Sequence, residues 1–161
     1  MKIIMRGDPG NSSGYSNQQR ETLNAMALLD NIEIYLPDFD NVNSKSIITQ
    51  KEYNRFLKYK NTPIVDPDFY INFVIPPLYT KYDSKNTKNI GIIYWETDKL
   101  PNNWSAIINQ MDEMWTFCPH NSEIIEFDTN AKTKYAVGTI DLDFWKSNRK
   151  RKTIDSILYI A

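Results

Sequence analysis

The feature that most limits what this chain can fold into is a repeated grammar: a short apolar run, a polar loop, a helical stripe, and then another short apolar run. Lys2-Ile3-Ile4-Met5 opens it. Unbroken aliphatic residues without alternation read as a strand buried on both faces, the kind found in parallel sheets. Gly7-Asp8-Pro9-Gly10-Asn11-Ser12-Ser13-Gly14-Tyr15-Ser16 follows, too rich in glycine, proline and small polar residues for regular structure, and reads as a loop. From about Asn17 to Leu29 glycine and proline disappear, and Leu23, Met26 and Ala27 share one helical face, with Ser16 or Asn17 as the cap. Ile32 to Leu36 then alternates up to Pro37 and predicts a second strand. Residues 2–36 thus have the size and order of one βαβ unit, the crossover that two parallel strands require.

The same grammar continues downstream. Thr49 and Glu52 have capping-box spacing, with Tyr53, Phe56 and Leu57 at helical intervals behind them. Asp68 to Ile75 predicts a strand closed by Pro76-Pro77, and Asn89 to Trp95 another. Trp104, Ile107, Ile108 and Met111 fall at i, i+3, i+4 and i+7 and predict an amphipathic helix opened by Pro101 and Asn102 or Asn103. Met114 to Phe117 reads as a strand, Asn121 to Phe127 as a short helix, and Lys134 to Val137 as a last strand ending at Gly138. The pattern predicts an α/β domain over residues 1–138, a parallel, doubly wound, Rossmann-like sheet with helices on both faces. Residues 139–153 read as a charged interdomain-type linker and 154–161 as the first strand of a further domain.

A chain of 161 residues has room for one hydrophobic core. Nineteen basic against twenty acidic residues give a net charge of −1, which lacks the basic footprint of a nucleic-acid binder. The lone Cys118 and lone His120 exclude an internal disulfide and any multi-cysteine or His-rich metal site. Asp-x-Asp occurs at Asp38, Asp66 and Asp141 and so singles out no metal position. No apolar run reaches the roughly 18–20 residues of a membrane span, and the N-terminus has no signal-peptide core, so the expected location is the cytoplasm.

Ligands of open parallel sheets bind beyond the carboxyl ends of the strands, where helix N-termini offer unpaired N–H groups. The loop with Gly7, Gly10 and Gly14 lies at such a place. It reads either as a cradle for phosphate or sugar or as a turn that needs its glycines; its spacing matches neither the dinucleotide nor the P-loop fingerprint. Tyr94-Trp95-Glu96-Thr97-Asp98 leaves a later strand on the same side. A carboxylate beside an indole suits a sugar, which offers an apolar ring face and hydroxyls; the alternative is a core tryptophan next to a solvated charge. Cys118-Pro119-His120 does not establish a thiol–imidazole pair, and His120 is instead a candidate ligand contact in the cleft.

In this order, the opening strand and glycine loop, Trp95-Glu96-Thr97-Asp98-Lys99-Leu100-Pro101-Asn102-Asn103-Trp104, Met111 through Asn121, and Gly138-Thr139-Ile140-Asp141-Leu142-Asp143-Phe144-Trp145 resemble the N-terminal Rossmann-like domain of GT-B glycosyltransferases, family 4 in particular. The resemblance implies retaining, metal-independent sugar transfer from a nucleotide sugar to a glycan or other acceptor, without a cofactor, across a cleft whose other side is a donor-binding domain. It implies that Gly10, Gly14, Tyr15 and Ser16 border the cleft and that Glu96 sits near the acceptor. Trp95 and His120 complete the expected substrate-binding set. Turnover would then depend on a donor-domain partner chain, and the terminal strand would favour self-association. The rival reading is a non-catalytic glycan- or protein-binding module on the same scaffold; a third is a small stand-alone nucleotide-binding enzyme.

Overall fold

The computed structural model describes residues 1–40, 47–136 and 138. Strands β1 (Lys2–Arg6), β2 (Glu33–Tyr35), β3 (Phe69–Asn72), β4 (Lys88–Ile93), β5 (Glu113–Thr116) and β6 (Thr133–Tyr135) form one six-stranded sheet in the order β2-β1-β3-β4-β5-β6. Every neighbouring pair is parallel. The connections contain α1 (Gly14–Met26), α2 (Gln50–Lys60), a 3-10 turn at Pro76–Leu78, α3 (Ser105–Ile108) and α4 (Pro119–Asp128). The described part of the chain is a Rossmann-like α/β domain. Chain order reverses at β1, which has β2 on one side and β3 on the other, and all strands deliver their carboxyl ends to one rim. Among the described residues no helix is long and apolar enough to cross a membrane.

Register explains the two larger cores. Side chains alternate along a strand, so the pairings Ile3↔Ile34 and Ile71↔Ile90 set these residues on one face. There they pack with Leu23 of α1 and Phe56 of α2, both fully buried. Each such side chain contributes roughly 1.5–3 kcal/mol on burial. The opposite face presents Ile93 and Met114, covered by Ile108 of α3 and by Ile124 and Ile125 of α4. Gly91 in β4 permits this second layer, because a Cβ there would lie 2.6 Å from both the Met114 sulfur and the Tyr79 ring. At the end of β1, Gly7 turns the chain at φ 112°, and a Cβ would lie 2.6 Å from the Phe73 carbonyl oxygen.

Several expected boundaries move. The first helix begins at Gly14 and is capped by Ser13, whose hydroxyl accepts from the Ser16 N–H, rather than by Ser16 or Asn17. The end of the apparent loop is its first turn, since a capped helix tolerates small polar residues there. The capping box at Thr49 and Glu52 forms as its spacing predicts. The stripe from Trp104 to Met111 yields helix only at Ser105–Ile108, and Met111 reaches the same core from the turn beyond. The strand expected over Asp68 to Ile75 is confined to Phe69–Asn72. Val137 and residues 139–161, with the proposed linker and terminal strand, lie outside the described residues.

Candidate functional site

Two segments meet at the carboxyl rim of the sheet. The first is the turn between β1 and α1, which its own polar groups hold in place. The Asp8 carboxylate accepts from the N–H groups of Gly10 (2.9 Å) and Asp40 (3.3 Å). The Arg20 guanidinium donates to the carbonyls of Pro9 (2.6 Å) and Asn11 (2.7 Å). With Ser13 capping the helix, Gly14 and Tyr15 are set on the rim as its first turn. The Tyr15 hydroxyl oxygen accepts from the Tyr94 N–H at 3.1 Å, which ties this turn to the end of β4. Their rings meet edge to face, centroids 4.9 Å apart, and Tyr94 stacks on Phe117 at 4.7 Å.

The second segment follows β4. Asn121, in the first turn of α4 and buried, accepts from the Trp95 N–H (3.2 Å) and donates to the Trp95 carbonyl. The side-chain amide thus closes both main-chain valences of one residue, as a neighbouring strand would. The Trp95 indole N–H donates to the Lys99 carbonyl (2.9 Å), which also accepts from the Thr97 hydroxyl (3.1 Å). The Trp95 ring lies against Trp104, centroids 4.7 Å apart.

Between the two segments lies a cavity of about 500 Å³ lined by Gly14, Tyr15, Gln18, Tyr94, Trp95, Glu96 and Thr97, within the usual range for small-molecule sites. Of the residues expected from sequence, Gly14, Tyr15, Trp95 and Glu96 come together here. Gly10 is buried in the turn with its N–H engaged by Asp8, Ser16 is buried with its hydroxyl on that of Ser13 (2.8 Å), and His120 is exposed on α4; none of the three is in the lining. Tyr94 and Thr97 belong to the segment that sequence singled out. Gln18 was missed, although its place one turn after Gly14 puts it on the same helical face. Asn121 carried no signal, because its role depends entirely on the tertiary approach of α4. The backbone at Gly138 also reaches this wall: a Cβ there would lie 3.2 Å from the Gln18 side-chain oxygen.

The chemistry of the lining is largely neutral. Burial pushes the Tyr15 phenol up against the opposing effect of the Tyr94 N–H, and burial followed by the nearby Tyr15 pushes Tyr94 up further. Both therefore stay protonated at neutral pH and serve as ring surfaces rather than bases. The Tyr94 hydroxyl is buried with no hydrogen-bond partner among the described residues. Glu96 is the ionisable carboxylate of the lining, exposed at the cavity mouth. No group of three or more His, Cys, Asp or Glu side chains that could hold a metal occurs among the described residues. Comparisons with protein-family models, with curated proteins and with solved structures yield no match.

Proposed function

We propose that this domain binds a sugar in the rim cavity and acts as the acceptor side of a glycosyltransferase. The observation that carries the reading is the junction of the Gly14-Tyr15 turn with Tyr94–Thr97 around one cavity: it sets aromatic walls beside a carboxylate. A pyranose has an apolar face for the rings and hydroxyls that donate to Glu96, and such charge-assisted bonds are about twice as strong as neutral ones. In the transfer, the anomeric carbon leaves the diphosphate oxygen of a nucleotide sugar and joins an acceptor hydroxyl oxygen, whose proton passes to the departing phosphate. The domain's part is to hold that hydroxyl in place, which is an orientation effect. The second half of the site belongs to a donor-binding domain or partner.

Calorimetric titration with a panel of monosaccharides tests the binding, alongside Trp95→Ala and Glu96→Gln. Affinity should fall about tenfold in each variant, on the order of one lost stacking or charged contact. Absence of binding by every sugar at millimolar concentration overturns the reading. Assays with nucleotide sugars, with and without donor-domain candidates, test transfer; turnover by the chain alone would contradict its dependence on a second half.

A binding module without turnover is the second reading. It is favoured by a lining that contains neither His nor Cys and whose phenols are held neutral. Sugar binding that persists while no mixture gives transfer would select it.

A further inference from the structure

We infer that the cavity selects a sugar bearing a protonated amine and discriminates against anionic sugars. The inference rests on the sugar-binding reading and adds the charge class of the ligand. Of the described residues that line the cavity, Glu96 brings a full negative charge, and no Lys, Arg or His accompanies it. Glu96 makes no hydrogen bond or ion pair to another described residue, so a ligand ammonium would not displace an internal partner. Tyr15, Tyr94 and Trp95 add aromatic surface to the lining, and a ring face that meets a ligand attracts cations.

Among the described residues, the cations on the two segments that form the cavity are otherwise placed. Arg20, on α1, is held by the carbonyls of Pro9 and Asn11 and by the Asn17 side chain. Lys99 and Asp98 share the Glu96 loop, outside the lining, and offset each other in charge. The amino end of α1 works in the opposite sense. Its pole equals about half an elementary charge, and Ser13 already accepts from the Ser16 N–H there. The whole charge on Glu96 therefore outweighs this half charge. A phosphorylated sugar or a uronic acid would face the carboxylate with no counter-charge among the described lining residues.

The test is calorimetric titration at pH 7 and low salt with glucosamine, glucose, N-acetylglucosamine and glucuronic acid, using the full chain. Glucosamine should bind about tenfold tighter than glucose or the N-acetyl form, and glucuronic acid about tenfold weaker, each equivalent to one close charge contact. Glu96→Gln, an isosteric change at an exposed position, should bring all four within about threefold, whereas Asp98→Asn should preserve the ranking. Equal binding of the four sugars, tighter binding of glucuronic acid, or an equal loss of selectivity in Asp98→Asn overturns the inference and leaves the sugar-binding reading intact. No binding by any of them overturns both. Thermal melting of each variant separates a lost contact from a lost fold.

Discussion

The two walls of the cavity are built by opposite strategies. The α1 wall is fixed by several contacts, most of them local: Asp8 on the Gly10 N–H, Arg20 on two carbonyls and Ser13 on the first turn, with the Asp40 N–H on Asp8 as a distant addition. The β4 wall takes both main-chain hydrogen bonds of Trp95 from one distant side chain, the Asn121 amide, with the Tyr15 tie at Tyr94 and the Trp104 ring beside it. The first wall should lose little when any one contact is removed, and the second should lose more when Asn121 is removed, because two hydrogen bonds to one residue go together. Local redundancy gives robustness, and a bidentate long-range clamp gives a place where the site can be loosened without unfolding the sheet.

The largest expected effect lies beneath both walls. Gly7→Ala places a Cβ at positive φ and 2.6 Å from the Phe73 carbonyl. It should cost about 3 kcal/mol or more, from backbone strain and overpacking together, measured by urea unfolding. Next, Asn121→Ala should cost about 2 kcal/mol, because two hydrogen bonds go and both Trp95 main-chain groups lose their partner. Its signature is a loss of sugar affinity at temperatures where the variant is still folded; unchanged affinity would show that the β4 wall has another support. Ser13→Ala should cost about 1 kcal/mol, the usual value of a helix cap, with affinity nearly unchanged. A loss there as large as that of Asn121→Ala would erase the contrast between the walls.

The smallest effect is a pH dependence confined to the α1 side. Asn24 of α1 donates to Glu52 of α2 at 2.9 Å. Burial of Glu52 works to raise its pKa, but bonds from Asn24 and from the Thr49 side chain and backbone, with the charge of Arg20, prevail and hold it below the ordinary carboxylate value. A depressed folded-state pKa stabilises above the unfolded value, near 4.3 for glutamate, and the contribution is lost as pH falls through the folded value. Glu52→Gln should therefore flatten the acid limb of stability against pH; an unaltered limb would assign it to other carboxylates.

The strands and the common rim were legible because buried parallel strands leave uninterrupted aliphatic runs, as at Ile3-Ile4-Met5 and Ile90 to Ile93. The Thr49–Glu52 capping box was legible because both partners lie within one turn. Strand order was not, since no local pattern records which neighbour a strand finds. The stripe ending at Met111 misled for a related reason: its apolar residues are buried by the sheet they face, whether or not the backbone between them stays helical. Asn121 illustrates the same limit within the site. An asparagine in a polar helix start looks like any other until Trp95 arrives beside it from 26 positions earlier.

The close approach of Gly138 to Gln18 has a mechanical consequence. Beyond β6, the last of the described strands, the backbone at Gly138 comes close to Gln18, a residue that frames the ligand chamber. A side chain in place of Gly138 would therefore push against the Gln18 amide, and the chamber wall would have to yield by a few tenths of an ångström to admit it.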